Sequence, residues 1–315
     1  MNQLLILLIL PLLTQGALKI VNTPAEFQSA LDSVSPGDTI QLAPAEFEGE
    51  FTITKDGPAT ITGDRNSTIK SVGGGTGLSI QGNKWTVKAL KITEPNIGIL
   101  VDGEENSIEG VVMQKVGTGM LVRGENNAIK SCVISEADGG IVVEASRNKL
   151  YYNSVNIQAP SITLEEGTCC GLLDGNVANG RLDLKGMSYN LTNNVCNHGM
   201  YVTGCDNSFS GNVANGASFP EGCQSNDLGG NVYRGLGPND TDPPRPGQPQ
   251  QQHGNQGQYN NNQGQGQYNN NNGGQQYQQP NYGNFGGSQV SGQVVPTSVK
   301  TSMTGITPQC TCTCA

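Results

Sequence analysis

Gly77-Leu-Ser-Ile-Gln81, Gly98-Ile-Leu-Val-Asp102, Gly119-Met-Leu-Val-Arg123 and Gly140-Ile-Val-Val-Glu144 follow one another at a constant step of 21 residues. The series continues through Ser161-Ile-Thr-Leu-Glu165, Arg181-Leu-Asp-Leu-Lys185 and Gly199-Met-Tyr-Val-Thr203, with the step shortening to 20 and then 18. In every line the second and fourth residues are apolar. Period-two alternation sends those two to one side of a strand and the third and fifth to the other.

Two further registers run between these lines. Asn83, Asn106, Asn127, Asn148, Asn207 and Asn226 each stand two residues before an apolar or aromatic residue. Gly175-Asn-Val177, Asn193-Asn-Val195, Gly211-Asn-Val213 and Gly230-Asn-Val232 form the third. Three short strands per repeat, with Gly, Asn, Asp and Ser at the corners, describe one coil of a right-handed parallel β-helix. A single coil cannot bury its own apolar side chains, so coils stack and like residues form ladders about 4.8 Å apart. The L-x-x-L-x-L spacing and helix of a leucine-rich repeat are absent.

The 315 residues provide ample length for a core, and 44 glycines with 5% aromatic residues suit a tightly wound solenoid. A formal net charge of −9 argues against nucleic acid or an anionic membrane as partner. Residues 1–16 read as a secretory signal: Leu4–Leu13 is too short to span a bilayer, and Thr14-Gln-Gly16 supplies small residues for cleavage, although Lys and Arg are missing ahead of it. No later stretch is apolar enough to span a membrane. The expectation is therefore a secreted, extracellular protein. The sequons at Asn66, Asn190 and Asn239 are candidate glycosylation sites.

After the signal, Ile20-Val21 reads as a strand, and Glu26–Leu31 as a short helix with Phe27, Ala30 and Leu31 on one face. A helix there caps the open end of the solenoid. The run Val21…Phe27…Ala30-Leu31…Pro36-Gly-Asp-Thr-Ile-Gln-Leu42…Phe47…Gly57…Ile61-Thr-Gly63 resembles the opening of the chondroitinase B and alginate lyase family of polysaccharide lyases. The Asn-rich repeats resemble the generic repeats of pectate lyases, and together the resemblance covers about residues 20 to 235. It implies an all-β right-handed parallel β-helix over residues 17–237.

From Pro238 the composition changes. Residues 238–292 form a Gln/Asn/Gly/Tyr tract that repeats Gly-Gln-Tyr-Asn-Asn-Asn, with too few aliphatic residues to offset its ordering entropy, so a disordered linker is expected. Residues 293–315 end in Cys310-Thr-Cys312-Thr-Cys314-Ala. Three thiols at alternate positions cannot all pair internally, which points to disulfide-linked self-association. Within the repeats, Cys205 and Cys223 both follow a glycine and stand 18 residues apart, the local coil length. Stacked neighbours fall inside the Cα separation a disulfide tolerates, and a bridge is expected there. Cys132, Cys169, Cys170 and Cys196 have no unique pairing.

The outward positions place Ser79, Leu100, Leu121, Val142, Thr163, Asp183 and Tyr201 in one ladder. Gln81, Asp102, Arg123, Glu144, Glu165, Lys185 and Thr203 form another. β-Elimination on a uronate needs a base for the α-proton and a cation for the enolate. The family resemblance implies Lys and Arg for those tasks, with Ca²⁺ held by acidic and amide ligands. By position Lys185 is the candidate base and Arg123 the candidate stabiliser. Glu144, Glu165 and Asp183 are candidate Ca²⁺ ligands, and Asp102 and Tyr201 join them as candidate binding residues. Lys185 and Arg123 stand three coils apart, roughly 14 Å along the axis. The competing reading is a solvated charge ladder of alternating sign. Trp85 and Tyr151-Tyr152 are further candidates for stacking on sugars, although single aromatics near a corner are more often packing.

Two functions follow as expectations. The first is an extracellular matrix or cell-wall protein that binds polysaccharide without cleaving it. The alternative is a polysaccharide lyase acting on a uronic-acid polymer by β-elimination.

Overall fold

The computed structural model describes residues 16–64 and 66–234. Of the expected signal segment only Gly16 is described; Asn239, the Gln/Asn-rich tract and Cys310, Cys312 and Cys314 lie outside the described residues. The described chain is a parallel β-helix of about ten turns with one short helix. Every strand pairing along it is parallel, in one sheet of 11 strands and one of 17.

Each coil has three faces. Face 1 holds the lines quoted above, with Leu78, Ile99, Met120, Ile141, Ile162, Leu182 and Met200 stacked inward. Face 2 stacks Ile40, Ile61, Val87, Ile108, Ile129, Leu150, Leu173, Leu191 and Phe209. Face 3 stacks Ile69, Ile92, Met113, Ile134 and Val155, then the smaller Ala178, Cys196 and Ala214. All these side chains are buried, and burying each is worth about 1.5–3 kcal/mol for the larger ones. Faces 3 and 1 merge where Val112–Val122 and Val133–Val143 run around the corner as single bent strands, so the three-strand coil expected from sequence is a two-strand coil there. The bend sits at Lys115 and Glu136, both with positive φ.

The change in repeat length has one main location. From Met120 the chain takes nine residues to Ile129, five more to Ile134 and seven to return at Ile141. From Leu182 it takes nine to Leu191, five to Cys196 and only four to Met200. The three lost residues all leave the corner between face 3 and face 1. The coil between them takes eleven residues from Ile162 to Leu173, and Cys169-Cys170 lies in that longer corner, with the two Sγ atoms 3.0 Å apart.

Two columns of buried asparagine hold the corners. Asn153, Asn176, Asn194, Asn212 and Asn231 each accept the backbone N–H of the residue one coil before, at 2.8–3.0 Å. Their amide nitrogens donate to the carbonyls of Ile129, Leu150, Leu173, Leu191 and Phe209. The side chain thereby satisfies corner groups that no strand partner reaches. The other column is Asn106, Asn127, Asn148 and Asn207. Asn83 and Asn226 do not belong to it. Trp85 occupies the place aligned with Asn106, and Asn226 pairs with Ser208 instead of Asn207. Between Asn148 and Asn207 the column is filled by Gly171 and Tyr189: a Cβ on Gly171 would lie 2.3 Å from the Tyr189 ring, so glycine makes room for the aromatic.

The N-terminal cap forms as expected, over Pro24–Asp32. Thr23 accepts the Glu26 N–H at 3.2 Å, Pro24 opens the first turn, and Phe27 closes the end of the core against Phe51 and Phe47. Asp38 ties the first coil down, accepting N–H bonds from Ala17 and Ser35 and pairing with Lys19 at 3.1 Å. Those bonds, that from Ser35 foremost, hold its carboxyl below the usual value. The bridge expected between Cys205 and Cys223 is formed, with Cα atoms 5.1 Å apart. Cys132 and Cys196 are buried, and desolvation pushes both thiols up to about 12.

Candidate functional site

The outward ladders of face 1 are in register as the sequence predicts: Thr163 pairs with Asp183 and Asp183 with Tyr201, which brings Glu165, Lys185 and Thr203 into one column. Arg123 lies beside Glu144 by the same pairing. The structure therefore assembles the expected ladder, and it also shows how the charges are spent. Arg123 Nε lies 3.0 Å from Glu144 and Lys185 Nζ 2.7 Å from Glu165, both pairs open to solvent. Asp102 extends the column next to Arg123 without a direct ion pair among the described residues.

Arg181 was not singled out by the sequence reading. Its Nε lies 2.8 Å from Asp183, in a pair largely withdrawn from solvent, and its guanidinium sits over the Tyr201 ring at 5.4 Å from the centroid. Asp183 is only 7% exposed although it points outward. A signal for Arg181 was present: the first place of each line is Gly or Ser elsewhere, and here a long cation takes it. Glycine at that place lets coils close up; a Cβ on Gly140 would lie 1.9 Å from the Ser161 carbonyl oxygen. Arg181 thus joins Asp183, Lys185 and Tyr201 on adjacent coils, whereas Arg123 remains three coils away.

The proposed Ca²⁺ ligands do not converge. Glu144, Glu165 and Asp183 each face a different cation, and among the described residues no three His, Cys, Asp or Glu side chains are grouped as a metal site. Donors already neutralised one by one do not fit a hard dication that needs several oxygens at once, and no step below runs through one. Trp85 is fully buried, with Nε1 donating to the Lys55 carbonyl at 2.7 Å, so it is core and not a sugar platform. Tyr152 is exposed on face 2 and its hydroxyl donates to Asp174 at 3.2 Å. Asn66 and Asn190 are both exposed.

A second surface feature was not anticipated. At the corner between faces 3 and 1, where the coils lose three residues, a cavity of about 800 Å³ opens. Glu136, Asp138, Asn156, Gln158, Asn179 and His198 line it. A smaller cavity of about 310 Å³ lies beside Tyr201, bounded by Ser218, Tyr233 and Arg234.

No protein-family model matches the chain, and no curated protein matches its sequence. Among solved structures it is similar to an alginate lyase from Paenibacillus sp. strain FPU-7, with 21% identity and a TM-score of 0.62 over 70% of this chain and 98% of that one. It also aligns with a pectate lyase at 15% identity and TM-score 0.47, covering 70% of this chain and 81% of the other. A PL6-family polysaccharide lyase from Pseudopedobacter saltans aligns at 11% identity and TM-score 0.41, over 69% and 93%. The β-helix is thus structurally similar to that of an alginate lyase. At these identities the likeness is one of fold. Among the described residues no helix is long and apolar enough to cross a membrane.

Proposed function

We propose that this chain is a secreted, carbohydrate-active β-helix that cleaves a uronic-acid polymer by β-elimination on face 1. The observation that carries the reading is the placement of Arg181, Asp183 and Lys185 along one strand with Tyr201 on the next coil. The first assignment needed two cations three coils apart; Arg181 and Lys185 share a coil but stand four strand residues apart, about 13 Å between Cα atoms. The two long side chains therefore have to lean together over Asp183, as Arg181 already does, to meet one sugar. Released from Glu165 as the neutral amine, Lys185 would take the proton α to the substrate carboxylate, and Arg181 would carry the charge that develops on that carboxylate. Collapse of the enolate would break the C4–O bond, leaving the C4–C5 double bond and a leaving oxygen protonated from water. Both cations now hold protein carboxylates, so substrate carboxylates would have to exchange with Glu165 and Asp183. The similarity in fold to an alginate lyase supports the reading.

A second reading is favoured by the ion pairs themselves. If they persist, the face binds polysaccharide in a wall or matrix without cutting it, and cross-linking through Cys310, Cys312 and Cys314 would hold the protein there. The two readings separate on the absorbance of the unsaturated uronate product, followed with alginate, pectate and chondroitin, with Ca²⁺ or with chelator. Absorbance that rises with the native chain and is lost in Arg181→Ala and in Lys185→Ala supports the lyase. Retention on a polymer without any absorbance change supports binding alone.

A further inference from the structure

The cavity at the corner between faces 3 and 1 has a structural origin and a chemistry unlike that of the charged ladder. Seven-residue corners, such as that from Ile134 to Ile141, stand out as a wall. Where the corner shortens to the four residues from Ala178 to Leu182, the wall steps back, and Asn179 and His198 form the floor. A rail of amides runs along that floor. Asn179 Nδ2 donates to Asn156 Oδ1 at 2.9 Å, Asn197 donates to Asn179, and Asn215 donates to the Asn197 carbonyl at 2.8 Å. His198 Nδ1 meets the Asn179 carbonyl oxygen, which leaves Nε2 as the ring's other polar atom.

No Lys or Arg lines the cavity. Among the described residues Glu136 and Asp138 enter no ion pair, in contrast to Glu144, Glu165 and Asp183. The lining therefore offers amide groups, an imidazole, the apolar surface of Ala137, Ile157 and Ala159, and two carboxylates that close no ion pair although Lys115 stands one coil before Glu136. That set favours hydroxyl donors over an anionic sugar. We propose that this groove is a binding site for a neutral, hydroxyl-rich glycan, separate from the face 1 patch. Sugar hydroxyls would donate to Glu136 and Asp138 and accept from the Asn156 and Gln158 amides. The volume is that of a site for a few sugar units. This inference does not depend on whether face 1 cuts a polyuronate.

The test is calorimetric titration of the full chain with neutral hexasaccharides of β-1,4-glucan, β-1,3-glucan and β-1,4-mannan, and with hexa-alginate as the anionic counterpart. The expected result is binding of at least one neutral probe with Kd at or below about 1 mM. The double change Glu136→Gln with Asp138→Asn should weaken it about tenfold, the effect of one charge-assisted hydrogen bond. Gln158→Trp, an exposed position that tolerates bulk, should abolish it by filling the groove, with circular dichroism and melting temperature confirming the fold. Arg181→Ala and Lys185→Ala should bind the neutral probe as the native chain does, so loss of lyase activity and loss of this site are read separately. The proposal is overturned if no neutral probe binds, if both groove variants bind unchanged, or if hexa-alginate displaces the neutral probe.

Discussion

Face 1 and the stepped corner are built from the same coils, and they treat charge in opposite ways. On face 1 strand register sets each carboxylate next to a cation: Arg123 with Glu144, Lys185 with Glu165, Arg181 with Asp183. At the corner Glu136 and Asp138 lie on the bent strand Val133–Val143, still in register with Lys115 and Gly117 one coil before, and among the described residues neither closes an ion pair. A flat ladder thus neutralises itself, while a break in the repeat leaves polar groups for a ligand.

The comparison can be broken most sharply at Lys185. If face 1 is catalytic, Lys185→Ala should lower the β-elimination rate by about 10²-fold or more, the usual worth of a positioned base, with neutral-glycan binding untouched. A rate that survives would move the chemistry elsewhere. The next effect is on the scaffold common to both regions. Asn194→Ala strands the Asn176 N–H and the Leu173 carbonyl in the interior, and should destabilise the fold by about 2–3 kcal/mol in denaturant titration. A loss below 0.5 kcal/mol, on the order of a surface pair, would show that the corners hold without their asparagines.

Acid should expose the contribution of Asp38. Its folded pKa is depressed, so the stabilisation is present above the unfolded value of 3.8 and disappears as pH falls through the folded pKa. Thermal midpoints of the native chain should drop across that acid window, and Asp38→Asn should flatten the drop while lowering the midpoint at neutral pH. Smallest of all is the change expected for Arg123→Ala. An exposed pair is worth about 0–1 kcal/mol, and the variant should be close to native in both stability and activity. A large loss of activity there would restore Arg123 to the site and return the patch to the middle of face 1.

Much of this protein was legible in the chain. The alternation within Gly77–Gln81 and its successors determined which side chains face in, because strand period is two and coils of equal length must stack like on like. The same arithmetic placed Cys205 against Cys223 and set Glu165 beside Lys185. Asn83 and Asn226 were misplaced because a two-residue offset between Asn and an apolar residue also occurs where the pairing has slipped. For Trp85 the chain leaves packing and sugar stacking both open, because an aromatic at a corner has the same local sequence whether it turns in or out, and the structure turns it in. What the tertiary structure alone decided was where coil length is lost. A step from 21 to 18 residues does not say which of three corners gives up the difference, and only the stacking shows that it is the one between faces 3 and 1. From that single location follow the step in the surface and the setting of Asn179 and His198 beside the longer corner that carries Glu136 and Asp138. Sequence fixes what each coil must bury; the mismatch between neighbouring coils, a property of the stack, decides where a ligand can enter.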